Sequence, residues 1–171
     1  MVYTKCLLII RRKENEMDKN QIWDLMTRVI LSFDNKMYSQ SAMNLMMGIS
    51  AQETRLGVYL RQIGGGPGRG VFNMEIDTEL DIWENYLAFR PLFVSKLHKI
   101  TGGSYLSEYA LEGNIPYQII MTRLHLWRVK EPLAEADDIN GHARYWKKHF
   151  NTKIGKGTVE QFIKNYKLLV L

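Results

Sequence analysis

Apolar residues recur along this chain at intervals of three and four, the spacing that gathers side chains onto one face of an α-helix. Ile22, Leu25, Met26, Val29 and Phe33 form the first such stripe, with Asp18 placed as its cap. Residues 39–54 form the second: Ala42, Leu45, Met46 and Ile49 lead on to Glu53, and the helix is expected to end near Gly57. Next comes the stretch Gly64-Gly65-Gly66-Pro67-Gly68-Arg69-Gly70, and then Val71 to Ile76, short enough to be an extended or β segment. Thr78-Glu79-Leu80-Asp81 reads as the cap and acidic first turn of a helix carrying Trp83, Tyr86 and Leu87, closed by Arg90-Pro91. Further helices are predicted from about Pro91 to Ile100, stopped by Gly102-Gly103, and from Tyr105 to Leu111, stopped by Gly113. Pro116 opens another through Ile119, Ile120, Leu124 and Trp127 up to Glu131-Pro132. Ile139, Ala143, Trp146 and Phe150 mark the next, and Val159, Phe162, Ile163, Tyr166 and Val170, capped by Thr158, the last. The pattern predicts a mainly α, helical domain over residues 17–171 with one small extended or β segment after the second helix. Residues 1–16 are expected to be a weakly structured extension.

Composition narrows the class. A chain of 171 residues with 46% hydrophobic and 24% charged content suits one globular domain with a substantial core. The single cysteine, Cys6, excludes an internal disulfide. His98, His125, His142 and His149 form no i, i+4 pair and have no metal-ligand spacing, so no metal or other cofactor is expected. Cys6-Leu7-Leu8-Ile9-Ile10 is too short for the apolar region of a signal peptide, and no transmembrane span is predicted. The net charge of +5 is concentrated late: residues 144–171 hold seven basic residues (Arg144, Lys147, Lys148, Lys153, Lys156, Lys164, Lys167) against Glu160, a balance of +6. A basic C-terminal face attracts polyanions, although charge runs of this kind often form nothing more than a solvated helix face. No recognition-helix motif points to specific nucleic-acid binding.

Glu53 is the residue with the most chemical content. On the apolar stripe its carboxyl is directed towards the core, where poor solvation raises its pKa and keeps it protonated near neutrality, as a general acid requires. Taken alone, a carboxylate at a helix end also reads as solvent-facing or paired with Arg55 or Arg61. The glycine-rich loop lacks the Lys-Ser/Thr ending of a phosphate-binding loop and reads as backbone freedom beside a cleft or as a flexible turn.

Three segments, in order, carry a resemblance to a family. Ala51-Gln52-Glu53-Thr54-Arg55-Leu56-Gly57 resembles the Glu-Ser-x-x-Gly motif of lytic transglycosylases and goose-type lysozymes. Gly70-Val71-Phe72-Asn73-Met74-Glu75-Ile76-Asp77-Thr78 is similar to their Gly-Leu-Met-Gln-Ile-x-Pro-x-Thr segment, and Phe150-Asn151-Thr152 with Gly155 and Gly157 to the Tyr-Asn motif before their last helix. Ile82-Trp83-Glu84-Asn85-Tyr86-Leu87 looks like the Ile-Trp-x-x-Tyr-Leu helix of bacteriophage members of this lysozyme-like superfamily, the peptidoglycan hydrolases the chain resembles most. The resemblance covers roughly residues 39–166.

What the resemblance implies is an α+β lysozyme-like fold and a peptidoglycan-degrading enzyme, a muramidase or lytic transglycosylase, that cleaves the β-1,4 bond between N-acetylmuramic acid and N-acetylglucosamine with Glu53 as general acid. Glu75 and Asp77 are the candidates for a second carboxylate, although an acidic pair before a helix also serves as cap and dipole partner. Asn73, Phe72, Tyr145, Phe150 and Asn151 are the candidate substrate-binding residues. Asn73 replaces the usual glutamine with a shorter amide, and Phe150 replaces a tyrosine whose hydroxyl contacts the catalytic glutamate, unless Tyr145 supplies it. The partners implied are peptidoglycan strands and, through the basic C-terminal face, the anionic cell wall. A phage or prophage protein of this kind, expected as a monomer, stays in the host cytoplasm before lysis or rides in the virion and acts on the wall or in the periplasm. The alternative is a non-enzymatic virion or wall-binding protein with a degenerate lysozyme-like fold.

Overall fold

Asp18 accepts hydrogen bonds from the amides of Asn20 and Gln21 and starts α1 (Lys19–Phe33) in the computed structural model, which describes residues 17–103, 106–151 and 155–171. A short 3₁₀ turn, Asn35–Met37, leads to α2 (Gln40–Thr54), capped by the Ser39 hydroxyl on Ala42 N. There follow α3 (Ile76–Asn85), the 3₁₀ turn Leu87–Phe89, α4 (Pro91–Thr101), α5 (Glu108–Gly113), α6 (Ile115–Trp127), α7 (Ile139–His149) and α8 (Val159–Leu169). Among the described residues these eight helices are the regular structure, and no named strand occurs. The mainly helical expectation therefore holds. The segment after α2 is a tight run of turns whose only pairings are the isolated bridges Arg61 with Arg69 and Arg69 with Met74. The expected extension of residues 1–16, Tyr105 at the start of the short fifth helix, and Thr152 lie outside the described residues.

Two helices are buried on nearly every side, as an element surrounded by others must be. In α6 the residues from Tyr117 to Leu124, together with Leu126, are buried; in α2 they are Ala42, Met43, Leu45 to Ala51 and Thr54. Around α6 pack α1, α3, α4 and α5, and around α2 pack α7 and α8. One apolar cluster, with members from all eight helices, joins the two groups. Gly48 brings α2 and α8 close: a Cβ built on it would lie 2.9 Å from a ring carbon of Tyr166 and within clashing distance of the Phe162 ring. The last helix begins on a capping box, in which Thr158 and Gln161 satisfy each other's backbone amides.

One predicted helix start is displaced. Thr78 is not the cap of α3; the helix begins at Ile76, with Glu75 in the cap position and without a side-chain bond to the exposed amides. Asp77 and Glu79 then fall in the first turn, where their charge suits the helix dipole, yet Glu79 is turned fully inward.

Candidate active site

Glu53 stands one residue before the C-terminus of α2, and the chain leaves that helix through an unusual bend. Arg55, Leu56 and Gly57 have φ values of 53°, 56° and 81°, so two non-glycine residues in succession adopt left-handed backbone. Burial of Leu56, 2% exposed, and the Thr54 hydroxyl hold this bend. Thr54 Oγ1 donates to Val71 O at 2.6 Å and accepts from Gly57 N at 2.9 Å, stitching the helix end to the glycine-rich loop. On the far side of that loop, Val71 N donates to Gln118 Oε1 of α6 at 2.7 Å. Gly70 lies so close to Leu111 O and Gln118 that no side chain would fit, and its φ of 75° also favours glycine.

This framework turns the loop so that Asn73, in left-handed backbone with φ 53°, presents its amide to Glu53; Asn73 Nδ2 lies 3.4 Å from Glu53 Oε2. The other oxygen is held from below. Trp146 Nε1 of α7 donates to Glu53 Oε1 at 2.8 Å, and Trp146 itself is 0% exposed. Burial pushes the Glu53 carboxyl above the usual glutamate range; the bonds from Trp146 and Asn73 pull it back in part, and the negative charge of Glu75 adds a smaller upward push.

Above Glu53 opens a cleft of about 730 Å³ at the junction of the two helix groups. Glu53 and Gln52 from α2 form part of its wall, with Ile63, Asn73, Met74 and Glu75 from the loop, His125 from α6, and Phe150, Asn151 and Lys156 from the segment between α7 and α8. Lys147 steadies that segment by donating to Asn151 Oδ1 and Gly155 O, both at 2.7 Å. Comparison with family models, curated proteins and solved structures returns no match.

Of the predicted site residues, Glu53, Asn73, Glu75, Phe150 and Asn151 share the cleft. Three do not. Phe72 is 1% exposed and belongs to the core, because the turn that aims Asn73 at Glu53 sends its neighbour the other way. Tyr145 is buried, with its hydroxyl directed at Glu131 O at 3.4 Å, so it does not replace the hydroxyl that Phe150 lacks. Asp77 is exposed in the first turn of α3 and does not line the cleft. Among the described cleft residues Glu75 is thus the second carboxylate beside Glu53. The expected pairing of Glu53 with Arg55 or Arg61 is replaced by bonds from Trp146 and Asn73 to its two oxygens, and Arg61 binds Glu112 at 2.8 Å.

Two members of the site escaped the sequence pattern. Trp146 sits 93 residues from Glu53 at an apolar helical position, indistinguishable there from a core residue. His125 has burial lowering its pKa, and its Nε2 faces His149 O at 2.9 Å, so the neutral ring donates from Nε2. Among the described residues, the basic C-terminal positions have different surroundings. Lys148 pairs with Glu131, Arg144 lies 3.7 Å from Asp138, and Lys156 reaches the cleft; Lys164 and Lys167 remain together on the outer side of α8 beside Ile163 and Leu168. No helix of the described residues is long and apolar enough to cross a membrane, and no group of three or more metal-binding side chains occurs among them.

Proposed function

We propose that the protein cleaves the β-1,4 glycosidic bond of peptidoglycan with Glu53 as general acid, on a lysozyme-like scaffold. The observation that carries this reading is a half-buried carboxyl, its pKa raised by desolvation, set in the wall of an open cleft large enough for sugar rings. A protonated Glu53 gives its proton to the leaving oxygen as positive charge grows on the sugar carbon. Glu75 is then the group available to steer a water, and in the anhydro-forming outcome the muramic acid 6-hydroxyl attacks instead, with Glu53 acting as base. The order of the three sequence motifs supports the same reading, since all three contribute residues to one cleft.

Digestion of purified sacculi followed by mass spectrometry of released muropeptides tests it, and the two outcomes differ by one water. Glu53→Gln is expected to lower release by about 10²- to 10⁴-fold. Retained activity in that variant overturns the assignment.

Phe150 in the cleft, with the Tyr145 hydroxyl engaged elsewhere, favours a second reading: a wall-binding protein of virion or prophage origin that has lost efficient chemistry. Sacculus binding without product supports that reading. In either case Lys164 and Lys167 offer the anionic wall a cationic contact, so retention on sacculi is expected to fall with added salt, and less steeply in a Lys164→Gln, Lys167→Gln double variant.

A further inference from the structure

We propose that Trp146 is the positioning residue of Glu53: its indole N–H reserves Oε1 as the carbonyl oxygen of the acid and so places the transferable proton on Oε2, the oxygen beside Asn73. The inference rests on the proposed role of Glu53 and adds which of its atoms reacts.

The argument is one of donors and acceptors. An indole N–H can only donate. At 2.8 Å it engages Oε1, and a carbonyl oxygen accepts such a bond better than the hydroxyl oxygen of a protonated carboxyl, so the indole favours the form with Oε1 unprotonated. Oε2 has the weaker contact: the Asn73 amide approaches one of its lone pairs at 3.4 Å, and the proton takes the remaining direction. Asn73 lines the cleft whereas Trp146 is wholly buried beneath it, so Oε2 is the oxygen on the cleft side.

The indole is also unable to swing away. Its ring packs against Phe162 with centroids 5.2 Å apart, and Gly157 lies so close that a Cβ there would come 2.7 Å from Trp146 Cη2. When the glycosidic bond breaks, the Oε2–H bond breaks with it: the proton goes to the leaving oxygen, which also keeps the electron pair of the severed C–O bond. The carboxylate left behind is held through Oε1 by the indole, now in a charge-assisted bond. Attack by water or by the 6-hydroxyl on the sugar carbon then returns a proton to Oε2. The other titratable or charged groups around the cleft are Glu75, His125 and Lys156, and the hydrogen bond to Oε1 comes from Trp146.

The test reads the coupling directly in the intact protein. In ¹⁵N-labelled protein the Trp146 indole resonance is expected to titrate with the same midpoint as the Glu53 side-chain carbon, and to lose that titration in Glu53→Gln. In Trp146→Phe the Glu53 midpoint is expected to move up by about one pH unit, because the bond that favoured the charged form is gone. The alkaline limb of the muropeptide-release profile should move with it while kcat falls. A merely structural role for Trp146 lowers the rate without moving the limb. An indole resonance that stays flat through the Glu53 titration overturns the proposal even where Trp146→Phe fails to fold, as does an unchanged midpoint in a folded variant. Absence of muropeptide release from the wild type, with the titrations still coupled, overturns the enzymatic reading and leaves the proton placement standing.

Discussion

The residue that holds the candidate site together most economically is Thr54, which does no chemistry. Its hydroxyl satisfies both Val71 O and Gly57 N, two backbone groups that otherwise lie unpaired beside the left-handed turn. Thr54→Val keeps the shape and removes both bonds, so a loss of about 1–3 kcal/mol is expected, read as a lower urea midpoint with unchanged slope. A serine at this position keeps the hydroxyl and should recover most of that loss. The same residue explains how far single positions could be read in advance. Glu53 was legible because it breaks an apolar helical stripe, a local signal. The bond from Trp146 was not, because a buried indole at helical spacing looks the same whether its N–H meets a carboxylate or nothing, and the contact spans most of the domain. Phe72 and Tyr145 failed as site residues for the complementary reason: aromatic residues near a motif are ordinarily core, and the direction of each side chain is set by a turn or a helix register that spacing alone does not reveal.

At the scale of elements, the close approach of α2 and α8 sets two opposed effects against each other at Gly48. In the middle of a helix, replacing glycine by alanine ordinarily gains about 1 kcal/mol of helix stability. Here the added methyl would enter the Phe162 and Tyr166 rings, and Phe162 is itself packed on Trp146. Overpacking of a tight core costs about 1–3 kcal/mol and wins. Gly48→Ala is therefore expected to lower Tm and, by pushing on Phe162, to disturb the indole that holds Glu53; near-UV circular dichroism and muropeptide release measure the two effects. Helix ends were the most legible elements: Asp18 and Thr158 cap by side-chain bonds as expected, and Ser39 and Asn114, not singled out in the sequence, do the same. The exception is α3, where a threonine followed by acids looked like a cap although the helix had already begun. Glu75 occupies the cap position there because the bridge between Arg69 and Met74 ends the loop at that point. The expected extended or β segment reduced to isolated bridges, since Gly64, Gly65 and Gly70 and the left-handed Asn73 bend the chain before a ladder can lengthen.

For the whole molecule, the decisive variable is pH, through two carboxyls buried in different places. Glu79 is 0% exposed; its Oε1 accepts from the Tyr117 hydroxyl and from Leu106 N at 3.1 Å, while Oε2 has no partner among the described residues. Burial raises its pKa above the ordinary value of 4.5, as it does for Glu53, against the opposing bonds from Tyr117 and Leu106. The sign of the effect on stability follows from proton uptake. Between 4.5 and the raised folded value, the unfolded chain has released the proton and the folded chain still holds it, so stability falls as pH rises through that window and levels off above it. His125 and His142 work against this: burial lowers both below the ordinary 6.5, so their contribution falls as pH drops below that value. The wild-type curve mixes these slopes, and a difference measurement separates them. Glu79→Gln keeps an oxygen for Tyr117 and Leu106 and removes the titration. Its Tm relative to wild type is expected to be constant below about pH 4.5, to rise steadily above it, and then to plateau, the onset being set by the unfolded glutamate. Glu53→Gln should show the same form independently, because Glu53 is bonded by Trp146 and Asn73 and Glu79 by Tyr117 and Leu106. A difference curve that stays level from pH 4 to 8 would mean that Glu79 titrates in the folded protein as it does in the unfolded chain.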